Sequence, residues 1–103
     1  MRKITHESVK AFLNNEPFAK SNMQVIADTH ETWLCLHGNV IAKIKHTEQG
    51  RKLYISNCGW ATNTTKERLN GLPNVHIYQK NFVWYLNGYY WDGNETEVKG
   101  FEY

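Results

Sequence analysis

Apolar residues change their spacing once along this chain, and that change divides it into two parts. From His6 to about Asn14, Val9, Phe12 and Leu13 recur at three-and-four spacing, which predicts a helix with Thr5 as its N-cap. Asn14-Asn15 and Pro17 stop it. Beyond Pro17 the period drops to two. "MQVIAD" (Met23–Asp28), "TWLCLH" (Thr32–His37), "VIAKIK" (Val40–Lys45) and "KLYISN" (Lys52–Asn57) read as an antiparallel meander with short polar turns between them. In the third segment Val40, Ala42 and Ile44 share one face, leaving Ile41, Lys43 and Lys45 on the other.

"GWATNTTKERLNGLP" (Gly59–Pro73) interrupts the strands. Thr64 and Glu67 have the spacing of a capping box, a short helix spans Lys66 to Asn70, Gly71 suits the position after it and Pro73 blocks continuation. Most of this stretch is therefore expected to be helix punctuation. An anion resting on the Gly59–Thr65 turn is the competing reading. "VHIYQK" (Val75–Lys80) and "FVWYLN" (Phe82–Asn87) follow as strands turning at Lys80-Asn81. Asn87-Gly88 is the strongest hairpin signal in the chain, and it returns "YYW" (Tyr89–Trp91). The acidic tail either frays or adds an edge strand. The whole predicts one α+β domain over residues 1–103: an N-terminal helix, an antiparallel sheet of about six or seven strands, and a short inserted helix.

Composition adds two facts to this outline. The chain of 103 residues is 41% hydrophobic and 14% aromatic, so it folds and cannot hide every aromatic ring. Net charge is only +2 but unevenly placed. Residues 40–80 hold seven basic groups against two acidic ones, whereas residues 81–103 hold only Lys99 against Asp92, Glu95, Glu97 and Glu102. No apolar leader opens "MRKITHESVK", and no apolar run is long enough to span a membrane, so the expected location is a reducing cytoplasm.

Candidate chemistry is sparse. No phosphate-loop motif occurs. Cys35 and Cys58 form no CxxC; Cys58 with His76 as base would be the only nucleophile pair, and nothing in the sequence joins them. Cys35 and His37 are two ligands, which do not make a metal site. No cofactor or metal is expected. The informative feature is the aromatic series on the strands. Tyr54, Tyr78 and Tyr85 fall opposite the more apolar face of their strands, where a tyrosine offers a flat ring and a wet hydroxyl. With Lys43, Lys45, Lys80 and Trp60 they form the predicted binding set.

Three segments, "LHGNVIAKI" (Leu36–Ile44), "GWATNTTKERLNGLP" and "WYLNGYYWDG" (Trp84–Gly93), resemble in this order a group of small accessory proteins of tailed bacteriophages. The resemblance implies a setting, the cytoplasm of an infected bacterium, and no activity or site. In that setting the sequence predicts a non-enzymatic protein that engages a host macromolecule in host takeover or defence inhibition, anti-CRISPR action included. A host protein is the expected partner. Single-stranded nucleic acid bound by the aromatic and basic residues is the alternative, and an enzyme using Cys58 a distant third.

Overall fold

The structure is a computed structural model describing residues 1–102. Its elements are α1 (Lys3–Leu13), β1 (Phe18–Lys20), β2 (Met23–Ala27), β3 (Glu31–Leu36), β4 (Asn39–Thr47) and β5 (Gly50–Ile55). There follow α2 (Asn63–Leu69), β6 (Ile77–Lys80), β7 (Val83–Leu86), β8 (Tyr89–Tyr90) and β9 (Thr96–Glu97). The expected α+β architecture is present, with its strands divided over two sheets. One has six antiparallel strands in the order β1-β2-β3-β4-β5-β9, and a smaller one has the order β6-β7-β8.

Alternation along the large sheet turns Met23, Val25, Leu34, Leu36, Ala42, Ile44, Leu53 and Ile55 to one buried face. α1 packs on this face through Val9, Ala11 and Phe12. Each of these side chains larger than alanine contributes about 1.5–3 kcal/mol by leaving water, which pins the strand register. One residue breaks the expected alternation. Cys35 pairs with Val40 while Leu34 pairs with Ala42, so Ile41 is an extra residue in a bulge. Ile41 therefore joins the core beside Ala42 instead of pointing outward with Lys43 and Lys45.

α1 also starts earlier than its spacing suggests. Its N-cap is Arg2, which makes no side-chain cap bond, and Thr5 lies within the helix, fully buried. The Thr5 hydroxyl donates to Glu67 Oε1 at 2.6 Å and accepts from Arg68 Nη1 at 3.1 Å. This polar link ties α1 to α2. Glu67 is thus occupied with α1 and does not close a capping box with Thr64; the α2 cap is Thr62, whose Oγ1 accepts from the Thr65 amide at 3.1 Å. β1 has no counterpart in the sequence reading. Of the two expectations for the tail, the edge strand holds: β9 pairs with β5, Val98 N donates to Leu53 O at 2.8 Å, and Val98 and Phe101 are buried in the common core.

Candidate functional site

The small sheet owes its shape to two tight turns. Asn87 (φ 51°) and Gly88 (φ 92°) form the expected two-residue turn between β7 and β8. Asn81 (φ 53°) and Phe82 (φ 65°) form a second one between β6 and β7. Asparagine accepts a left-handed backbone, but a bulky aromatic there is a steric outlier. Phe82 is consequently not the first residue of a strand, as its β-propensity suggested. It stands at the hairpin tip with 95% of its surface exposed.

Register then lines up the tyrosines. Tyr78 pairs with Tyr85, and Tyr85 with Tyr90, so three tyrosines cross the sheet in one row. The Tyr78 and Tyr85 rings stack with centroids 5.2 Å apart and planes 11° off parallel, and His76 lies 5.7 Å beyond Tyr78. Lys80 shares this outward face, while Ile77, Trp84 and Leu86 are buried behind it. Two asparagines hold the platform. Asn70 accepts from Ile77 N at 2.6 Å and donates to Ile77 O at 2.9 Å. Asn87 accepts from His76 N and donates to Asn74 O, both at 2.8 Å.

Of the predicted set, Tyr78, Lys80 and Tyr85 therefore come together. Outside that set, Tyr90 joins them in register and Phe82 stands at the tip of the same hairpin. The Asn87-Gly88 turn already implied Tyr90, whereas an Asn-Phe turn has no sequence signature. Lys43, Lys45 and Tyr54 form a second group on the outward face of the large sheet. There Ile26, Trp33, Lys43 and Tyr54 follow one another across four strands. Their charges are engaged locally: Lys43 Nζ meets Glu95 at 3.2 Å and Lys45 Nζ lies 4.8 Å from the Tyr54 ring. Trp60 belongs to neither group; it lies in the loop before α2.

The basic middle of the chain is only in part a basic patch: Lys45 pairs with Lys52 across β4 and β5, on the face that also carries Lys43. Arg68 is buried and paired with Glu67. Arg51 donates to Leu13 O at 2.8 Å, and burial pushes its guanidinium below the usual value. Lys66 sits 5.7 Å from the Trp84 ring.

The Gly59–Thr65 turn is built from its own hydrogen bonds. Asn57 Oδ1 accepts from Gly59 N at 2.9 Å, and Trp60 N donates to Asn57 O at 2.8 Å. Cys58 is exposed and its thiol donates to Val40 O at 2.9 Å. Cys35 is buried next to it; burial first, then the Cys58 charge, pushes the Cys35 thiol up. His76 stands beside Tyr78 on the small sheet, and no hydrogen bond joins it to Cys58. Among the described residues no three or more His, Cys, Asp or Glu side chains group as metal ligands, and no helix is long and apolar enough to cross a membrane.

Neither a curated protein nor a solved structure matches the chain. The family described as Kyanoviridae Gp96 protein matches residues 1–103, the full length. The bacteriophage setting implied by the three sequence segments thus has a family behind it: the chain belongs to the Kyanoviridae Gp96 family of phage proteins.

Proposed function

We propose that this phage protein is a non-enzymatic binding protein that engages a host protein through the outward face of its small sheet. It acts in the cytoplasm of the infected bacterium, in host takeover or defence inhibition. The observation that carries this reading is Phe82, a bulky ring in a left-handed turn and almost wholly exposed. Folding alone would favour glycine there. A strained, solvated aromatic beside a row of tyrosines has the composition of an interface hot spot.

Two features favour protein over single-stranded nucleic acid as the partner. The ring faces by which Tyr78 and Tyr85 stack are spent on each other and closed to a base. Of the basic stretch, the tyrosine face carries Lys80, whereas Lys43, Lys45 and Lys52 lie on the large sheet and Arg68 is buried, so that face has little charge to follow a phosphate backbone.

The test is capture of a partner from infected-host lysate, followed by affinity measurement with purified components. Tyr78→Ala with Lys80→Ala, and separately Phe82→Ala, should each weaken binding by about 2 kcal/mol or more, roughly thirty-fold. Binding should change little with salt. Loss of capture on nuclease treatment, or a steep salt dependence, would favour the nucleic-acid reading instead.

A further inference from the structure

A cleft of about 420 Å3 opens beside Trp60, away from the tyrosine row. That volume lies within the range of small-molecule sites. Its floor is Leu36 and Ile41, both buried, the latter placed there by the β4 bulge. Trp60, 59% exposed, lines one side. His37, Asn39 and Thr64 also line it.

The polar groups on this cleft are of two kinds. Asn57 and Thr62 also line it, but their side-chain oxygens are committed to the Gly59 and Thr65 amides. The His37 ring, the Asn39 amide, the Trp60 indole N–H and the Thr64 hydroxyl have no hydrogen-bond partner among the described residues. Donors and acceptors left unpaired around an apolar floor are available to a ligand. No Lys, Arg, Asp or Glu lines the cleft, so it has no counter-charge for a phosphate or a carboxylate. The walls are held in place: Trp60 O accepts from Thr62 N at 2.9 Å, and His37 is fixed in a left-handed turn (φ 51°) between β3 and β4.

An indole takes one face of a planar ring, and a side-chain amide pairs with a polar edge by giving and accepting a hydrogen bond together. A nucleobase is flat, uncharged and carries donors and acceptors along its edge, and so fits this lining. We propose that this cleft binds a single nucleobase, stacked on Trp60 with its polar edge toward Asn39 and Thr64. The base is that of a free nucleoside or an unpaired base in a strand; the chemistry recognised is the same. This site is separate from the tyrosine face, so its failure would leave the proposed host-protein interface untouched.

The experiment titrates the full chain with adenosine, guanosine, cytidine and uridine while following the Trp60 indole and Asn39 side-chain amide signals by NMR. At least one nucleoside should give saturable shifts below about 10 mM, confined to residues 36–41 and 57–65. Trp60→Ala should weaken that binding about ten-fold or more, and Trp60→Phe should restore part of it by returning a stacking face. Circular dichroism and melting should be unchanged in both, because the ring is on the surface. A short single-stranded oligonucleotide that binds more tightly than the nucleoside, with the gain lost when its central base is removed, would identify a strand as the source. Equal affinities would identify the free nucleoside. Absence of nucleoside shifts, shifts that persist in Trp60→Ala, or the same shifts produced by glucose would overturn the assignment.

Discussion

Replacing Glu67 by alanine should destabilise the fold more than replacing Arg68 by methionine, although the two side chains belong to one ion pair. Arg68 is 2% exposed and donates to Glu67, to Thr5 Oγ1 at 3.1 Å and to Asn22 Oδ1 at 3.2 Å, while its Nε has no partner. Glu67 is about 30% exposed. Glu67→Ala strands a guanidinium in the interior with only neutral acceptors, a change that costs about 3–5 kcal/mol when a pair is fully buried. Because Glu67 touches water, the low end, about 3 kcal/mol, applies. Arg68→Met removes the buried charge and refills much of its volume. Glu67 then keeps the Thr5 hydroxyl and the Arg2 amide at 3.3 Å, and the loss should be about 1–2 kcal/mol. Urea unfolding at neutral pH resolves such a difference, since the slope for small domains is about 1–3 kcal/mol per molar.

Acid supplies a second readout of the same pair. Burial pushes the Glu67 carboxyl up, but hydrogen bonds from Thr5, Arg68 and the Arg2 amide outweigh it and hold the group below its ordinary 4.5. A carboxylate with a lowered folded-state value stabilises fully above its unfolded value and loses that contribution as pH falls through the folded one. The stability gap between the parent and Glu67→Ala should therefore close as pH drops below about 4.5. Arg68→Met proving the more damaging variant, or a gap unchanged between neutral and strongly acid pH, would refute the reasoning.

Three further substitutions probe turns that the tertiary structure revised. Thr62→Ala should cost about 1 kcal/mol in thermal unfolding and Thr64→Ala less than about 0.5, because only Thr62 caps α2; the reverse order would return the cap to Thr64. Phe82→Gly should raise stability by about 0.5–1 kcal/mol by relieving the left-handed backbone, while weakening capture of the proposed host partner. A loss of stability in this variant would mean that the ring packs on the protein instead of facing a partner.

Much of this architecture was legible without coordinates because it is local. Three-and-four spacing of Val9 and Phe12 marks a helix face, and alternation in β2 to β5 marks a half-buried sheet, since burial follows the geometric period of each element. Asn87-Gly88 sets its hairpin by backbone sterics alone and so places Tyr90 beside Tyr85, while alternation turns Tyr78 outward on its own strand. The candidate site was accordingly half visible: Tyr78, Lys80 and Tyr85 followed from the pattern, whereas Phe82 did not. A strong β-former beside an asparagine reads as the start of a strand, and only the pairing of Lys80 with Val83 forces it into the turn.

Hydrophobic period and turn chemistry determined by themselves the class of the fold, the order of its main elements and the outward tyrosines of the small sheet. Tertiary structure alone decided the matters that depend on residues far apart in the chain. Glu67 satisfies a capping box on paper, but a buried arginine and a threonine 62 residues away outbid the local amide for its carboxylate. Lys43 belongs to a basic stretch by composition, yet Glu95 from the tail neutralises it. Ile41 faces water by alternation, yet a bulge set by pairing with β3 carries it into the core and makes it the floor of the Trp60 cleft. For Glu67 and Ile41 burial favours the tertiary arrangement over the local one, and for Lys43 an opposite charge from the tail does; sequence spacing contains no term for either.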